Sequence, residues 1–401
     1  MAAVVQAPTD SSLTRLSSYV GFDSITRQIE NKLLKRGFQP VALRSYPLAR
    51  LDNGARYPNA HVWFHMIEKR ESLAPGQWQW TKEERSRTNN LSASPTTPLA
   101  DPAAFPCLAA NTGQSGLGKS TMINTIFASH LVDTKGRFEA DEPIRQTTEI
   151  QAVSHVVQEN NVRLRLNIVD TPGYGDLRVC FKSSCTPCRN SWEPIIKYIK
   201  DQHSAYLRKE LTAMRDKHIV DTRIHACLYF IAPTGHTLKA IDIVVMKKLS
   251  EVVNVVPVIA KSDSLTLEER EAFKERIRAE LAHNEIRVYP FDTEENDAEE
   301  RQLNQAIRSM MPFAVVGSER NVMVDGQPVR GRKNRWGVVN VENEQHCDFN
   351  YLRNFLTRTH LQDLIETTSM VHYEAFRSKQ LLALKESSAA KQQAHQQSTA
   401  A

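Results

Sequence analysis

Gly113-Gln-Ser-Gly-Leu-Gly-Lys-Ser120 has the form Gly-x4-Gly-Lys-Ser, and two further short motifs follow it in order: Asp170-Thr-Pro-Gly173 and Ala260-Lys-Ser-Asp263. Gly113, Gly116 and Gly118 let successive backbone N–H groups turn toward a phosphate, with Gln114, Ser115 and Leu117 between them and Thr121 just beyond. A helix starting at the end of the loop adds its positive dipole end. Lys119 reaches the β- and γ-phosphates in such a loop, and Ser120 is a ligand for Mg²⁺. Asp170 ends an alternating stretch and is the second Mg²⁺ candidate. The Gly173 N–H is placed to sense a γ-phosphate. The Asp263 carboxylate can accept two parallel hydrogen bonds from guanine N1–H and N2–H₂, a donor pair that adenine lacks. Lys261 can lay its stem along the base, and Ser262 lies between them. Alone, the tetrapeptide Ala260–Asp263 is weak evidence; in this order the three motifs specify a GTP/GDP site with Mg²⁺.

Between the first two motifs, Ile144-Arg-Gln-Thr-Thr-Glu-Ile150 leads into a strand. Thr147 could ligate Mg²⁺ and position an attacking water. Alternatively, Thr147 and Thr148 simply favour an extended chain.

The surrounding pattern gives the fold class. Residues 13–38 read as a helix with Ile25, Ile29 and Leu33 four apart. A second helix is expected over 120–131. Val162, Leu164, Leu166 and Ile168 alternate with polar residues as a strand. Residues 192–214 put Trp192, Ile195, Ile196, Ile199, Tyr206, Leu207 and Leu211 on one helical face. Cys227–Ala232 and Val255–Ala260 read as buried parallel strands, and Thr266-Leu-Glu-Glu269 as a capping box. Alternating strands and helices predict an α/β domain, a three-layer αβα nucleotide fold. From about Gln302 the pattern shifts to short strands and a final helix over 360–384. The polar, Gln- and Ala-rich stretch 386–401 reads as disordered.

The chain has 401 residues, 41% hydrophobic and 24% charged, with a formal net charge of +5. That is enough apolar material for a core, and too mild a charge to imply nucleic acid. No apolar run is long enough for a spanning helix. Residues 1–6 do not read as a secretory leader, and six cysteines in this length read as reduced cytosolic thiols.

The motifs, together with Trp192-Glu-Pro-Ile195, Pro233-Thr-Gly-His236, Pro312-Phe-Ala-Val-Val-Gly-Ser318, Val329-Arg-Gly-Arg332, Arg335-Trp-Gly337 and Val341-Glu-Asn-Glu-Gln-His-Cys347, resemble the septin family. The similarity is to the fungal septins that sit centrally in hetero-oligomers and lack a coiled-coil tail. It covers residues 17–38 and 113–385. The resemblance implies a P-loop GTPase domain with a C-terminal septin-specific element, a GTP-binding subunit of hetero-oligomers and filaments. It further implies a cytoplasmic place in the septin ring at the cell cortex, septum or bud neck.

Carried over position by position, Thr147 matches the threonine linked to hydrolysis. With Lys119 and Gly173 it completes the candidate hydrolytic set. Gly317 and Arg332 match residues beside the base, and 261–269, ending at Glu269, match the base-contacting stretch. His236 and Trp336 match the nucleotide-side subunit interface. From the residues alone, His236 reads as a polar turn residue and Trp336 as a core aromatic. Lys32, Lys35 and Arg36 fall where septins carry a phosphoinositide-binding basic segment, although a solvated helix face would look the same. Tyr174 stands after Gly173 where a water-orienting glutamine would be, so hydrolysis is expected to be slow.

The expected division is a basic helix over 1–39, an atypical low-order insertion over 40–112, the G-domain core over 113–301, the septin-specific element over 302–385 and a polar tail over 386–401. Residues 40–111 carry eight of the 18 prolines and three of the five tryptophans, without sustained periodicity. Phe105-Pro-Cys-Leu-Ala-Ala-Asn-Thr112 looks a poor central strand, because it contains a proline and ends in polar residues. If 40–111 are real, 103–111 or 39–45 must supply the first strand. A second departure, 178–190, carries Cys180, Cys185 and Cys188. Two of these have zinc-ligand spacing, but no fourth ligand is evident, and an accidental cluster is preferred. Both segments read as lineage-specific insertions or as translated non-coding sequence. Two other functions stay open: a monomeric Ras-like switch, and a septin-type scaffold that binds no nucleotide.

Overall fold

The computed structural model describes residues 105–129, 131–132, 150–159, 162–174, 192–212, 219–291, 298–324 and 326–399, with Gly21, Ser24, Ile25, Gln28 and Ile29. The chain divides into two units. One comprises Met1–Lys32 with Pro106–Ala401; the other is Leu33–Phe105, which apart from its last residue lies outside the described residues. Thr147, the Lys32–Arg36 basic run and the three cysteines of 178–190 also lie outside them.

The central element is a six-stranded sheet in the order β2-β3-β1-β4-β5-β6. Its strands are β1 (Phe105–Gly113), β2 (Gln151–Glu159), β3 (Val162–Asp170), β4 (Ala226–Ile231), β5 (Val255–Ile259) and β6 (Phe313–Ala314). β1, β4, β5 and β6 pair in parallel, and β2 and β3 form an antiparallel pair. Helix α1 (Lys119–Ile126) follows β1, α2 (Glu193–Leu211) follows β3, α3 (Ala240–Ser250) follows β4, and α4 (Leu267–His283) and α5 (Ala298–Met310) lie between β5 and β6. β4 and β5 are buried at every position, so their sequences are unbroken apolar runs.

The first strand corrects the sequence expectation. Phe105–Gly113 is central, between β3 and β4. Its register with β4 runs only from Ala109↔Ala226 to Gly113↔Phe230, so Pro106, which has no N–H, falls outside that ladder. The polar end is partly satisfied, although Asn111 Oδ1 is buried without a hydrogen-bond partner. Asn111 and Thr112 are fully buried; Asn111 Nδ2 donates to the Lys119 carbonyl at 3.2 Å, and the Thr171 hydroxyl donates to the Asn111 carbonyl.

Three helix expectations are also corrected. α1 stops at Ile126, short of Leu131. Asn124 Oδ1 accepts the N–H groups of Leu131 and Val132, both at 2.9 Å, and so folds the chain back over the helix. On α2 the buried face is Ile195, Tyr198, Ile199, His203 and Leu207, whereas Leu211 is 55% exposed. The stretch 386–401 is helical through Thr399, because α8 (Glu374–Thr399) carries it. Alanine, glutamine and lysine are good helix formers, and an already nucleated helix extends at little cost.

After the main sheet come an antiparallel meander, β7 (Asn321–Val324), β8 (Gln327–Asn334) and β9 (Gly337–Asn340), and the helices α6 (Phe349–Asn354) and α7 (Leu361–Thr367). π-Helical turns, Phe355–Thr359 and Thr368–Tyr373, join α6, α7 and α8. Ile25 is fully buried, and Gln28 Nε2 donates to the Arg358 carbonyl at 2.6 Å, which ties the N-terminal residues to this region. No described helix is long and apolar enough to cross a membrane.

Candidate functional site

The three motifs meet where β1, β3 and β5 end. β1 delivers Gly113, β3 delivers Asp170, and β5 is followed by Lys261–Asp263. This is the carboxyl edge of a parallel sheet, where α/β folds place their ligands.

The phosphate loop needs its glycines. Gly116 has φ +77 and Gly118 φ +82, both left-handed. Gly118 is the N-cap of α1; it forms no side-chain cap, and no acidic residue stands in the first turn. The helix start therefore keeps N–H donors for an anion. Lys119 is 8% exposed and donates from Nζ to the carbonyls of Gly113 at 3.3 Å and Gln114 at 3.0 Å. Burial pulls its pKa down to about 8, against the opposing pull of Asp170. A lysine so desolvated gains most from a phosphate. Ser120 donates from Oγ to Asp170 Oδ2 at 2.6 Å, so the two Mg²⁺ candidates are already side by side. These hard oxygen donors beside a phosphate loop suit Mg²⁺.

Gly173 touches the phosphate loop: a Cβ there would lie 2.3 Å from Ser115 Cα. Ser115 N–H donates to the Tyr174 carbonyl at 3.3 Å. Gly317 packs on the first turn of α1, where a Cβ would come within 3.3–3.5 Å of Met122. Ser318 N–H reaches Thr125 Oγ1 at 3.1 Å, and that hydroxyl donates to the Thr121 carbonyl at 2.7 Å.

At the base-reading end, Lys261 adopts φ 48 and its Nζ donates to the Gly116 carbonyl at 2.6 Å, joining the two loops. The Asp263 side chain is 4% exposed. Its Oδ2 accepts from Arg332 Nε at 2.8 Å, Arg332 Nη2 and Asn334 Nδ2 at 2.6 Å. Its Oδ1 is buried without a hydrogen-bond partner. A guanine donor fits that orphaned acceptor, and reading the base with both oxygens requires Arg332 or Asn334 to yield. Arg332 is thus hydrogen-bonded to Asp263, the residue expected to read the base. Asn334 was not foreseen; its only signal was two-residue spacing from Arg332 on one strand face.

The remaining candidates separate from this cluster. The Glu269 carboxylate is engaged in the capping box, accepting Thr266 N–H at 2.9 Å. His236 is exposed. Trp336 is 93% exposed, which overturns its reading as a core aromatic. Tyr174 is 2% exposed and turned into the core. Among the described residues no group of His, Cys, Asp and Glu is arranged to hold a metal.

The septin family model matches residues 108–390, most of this chain. The chain belongs to the septin family. It is 51% identical over 377 residues to septin homolog spn2 of Schizosaccharomyces pombe, covering 94% of this chain and 91% of that protein. It is 44% identical over 385 residues to cell division control protein 10 of Saccharomyces cerevisiae, covering 96% of each. A solved septin GTPase domain from Chlamydomonas reinhardtii matches with a TM-score of 0.50 at 24% identity, covering 69% of this chain and all of that one, and it agrees in fold. The α/β P-loop GTPase architecture and guanine-nucleotide binding follow from membership of this septin family.

Proposed function

We propose that this septin is a GTP-binding, slowly hydrolysing filament subunit that assembles with other septins in hetero-oligomers and acts in cytokinesis. The observation that carries the reading is the convergence of Lys119, Gly173 and the orphaned Asp263 oxygen at one sheet edge. Ser120 and Asp170, with Thr147, would hold Mg²⁺, which when bound neutralises phosphate charge. Lys119 pairs with the phosphates, the Gly173 N–H meets the γ-phosphate, and Asp263 selects guanine. Gly317 and Arg332 shape the base pocket, and Glu269 belongs to the base-side stretch. Thr147 is the hydrolysis residue. With Tyr174 turned inward, no side chain at that position orients water, so turnover is slow.

The exposed Trp336 and His236 are the proposed nucleotide-side interface. The relatives' names point to cell division, and a cortical septin ring, at a septum or bud neck, is the proposed site of action. The Lys32–Arg36 segment is the proposed phosphoinositide contact. The expected division, with 302–385 as the septin-specific element, is kept as part of this proposal, except that the sheet of the core takes in β1 (Phe105–Gly113) instead of beginning at Gly113. Mixing the purified chain with partner septins at low salt tests the assembly reading. Filaments or stable oligomers are expected. A chain that stays monomeric under all conditions and exchanges nucleotide rapidly would instead be a switch.

A further inference from the structure

Asp242 lies outside every nucleotide motif, in the first turn of α3, and is 1% exposed. A buried carboxylate is costly unless it is well hydrogen-bonded. Here one oxygen, Oδ1, collects donors from three chain segments. Tyr174 Oη and Tyr229 Oη each donate at 2.8 Å, and Gln114 Nε2 approaches at 3.5 Å. The two phenols also contact each other. The sheet order explains the convergence. β3, β1 and β4 are neighbours, so the residue after the Asp170–Gly173 loop, the first residue after β1 and a residue of β4 are brought under one helix.

The Gln114 amide orientation is fixed by its partners: Lys239 Nζ donates to Oε1 at 2.7 Å, which leaves Nε2 toward the carboxylate. Burial first, and then Asp242 among the neighbouring charges, push both phenol pKa values upward, so both stay protonated donors.

We propose that Asp242 is a positioning residue for γ-phosphate sensing: through Tyr174 it holds Gly173 docked on the phosphate loop. Tyr174 is gripped at both ends. Its backbone forms a parallel bridge to Gln114 and accepts from Ser115, and its hydroxyl is tied to α3. One peptide unit separates Tyr174 from Gly173, so the Gly173 N–H is set before any phosphate arrives. This is electrostatic preorganisation, with the ordering cost met on folding instead of on binding. The contact matters only to a ligand that carries a γ-phosphate.

The proposal rests on the guanine-nucleotide reading, and its test separates the two. Kd values for GDP and GTPγS are measured on the full chain for wild type, Asp242→Asn and Tyr174→Phe, with hydrogen exchange followed in the nucleotide-free proteins. Each substitution is expected to lower the preference for GTPγS over GDP about tenfold while leaving GDP binding within about twofold. Exchange should rise at Ser115, Thr171, Gly173 and Tyr174, but not in β4 or β5. Should Asp242→Asn fail to fold, Tyr174→Phe decides alone. A merely structural role would weaken both nucleotides alike, and an unchanged preference, with or without faster exchange, overturns the proposal. Wild type that binds neither nucleotide overturns both the site reading and the positioning role, and that result is visible before any variant is made.

Discussion

Arg332 and Asp263 form a side-chain ion pair in which Arg332 Nε donates to Oδ2 at 2.8 Å and the other oxygen, Oδ1, stays buried and open. The carboxylate proposed to read the base is thus held by the meander that also carries Trp336. Replacing Asp263 with Asn removes a charged acceptor from a desolvated position. Guanine-nucleotide affinity should weaken by about 3 kcal/mol, measured by calorimetry. Arg332→Ala should cost less, about 1 kcal/mol, because the guanidinium is 35% exposed and screened by water. Unchanged affinity in Asp263→Asn would show that the base is read elsewhere.

Lys119 gives the nucleotide site a pH dependence. Its pKa near 8 in the nucleotide-free chain lies below the ordinary lysine value because burial disfavours the charge. Phosphate favours the ammonium, so binding raises this pKa and takes up a proton when the free protein has lost one. Affinity for GDP should therefore be level below pH 8 and fall above it, approaching about tenfold per pH unit. Calorimetry in buffers of different ionisation enthalpy checks the proton uptake, and Lys119→Ala should abolish the slope.

Acid should destabilise the domain through His203 and His372. Burial pulls both pKa values down to about 4; Arg223 adds to the effect at His203, and the Glu251 backbone opposes it at His372. The folded values lie below the unfolded value of 6.5, so between pH 6.5 and 4 the unfolded chain binds more protons. Stability should then fall as pH drops through that window, by on the order of 1 kcal/mol per unit per histidine. Denaturant melts from pH 7 to 4 follow this, and His372→Phe should flatten the slope.

Trp336 separates assembly from stability. At 93% exposure it contributes little to the monomer core. Trp336→Ala should shift the melting free energy by less than about 0.5 kcal/mol while reducing oligomer mass in sedimentation. A large loss of stability would return this tryptophan to a packing role.

Much of the site was legible because its chemistry is local. Gly113–Ser120 reads as a phosphate loop from eight consecutive residues, and the Thr266–Glu269 cap appears as expected. What the sequence hid depends on distant partners. Pro106 and Asn111 argued against a central strand until the register showed that the β4 ladder begins at Ala109 and that Asn111 bonds the Lys119 carbonyl. His203 sits on the buried face of α2 because Arg223, Tyr373 and Phe376 pack around that region, a grouping no spacing announces. The π-helical turns at 355–359 and 368–373 leave no mark in a 3.6-residue pattern. Asn334 and Asp242 reach the site across 71 and 128 residues of chain, to Asp263 and Gln114.

The most direct test of the account is the nucleotide content of the purified full chain, released by denaturation and resolved by ion-exchange chromatography. Lys119 beside the phosphate loop and the open Asp263 oxygen predict guanine nucleotide, GDP or GTP, in stoichiometric amount. A chain that carries no guanine nucleotide, and takes up none when GTP and Mg²⁺ are supplied, would contradict the account and leave a scaffold in its place.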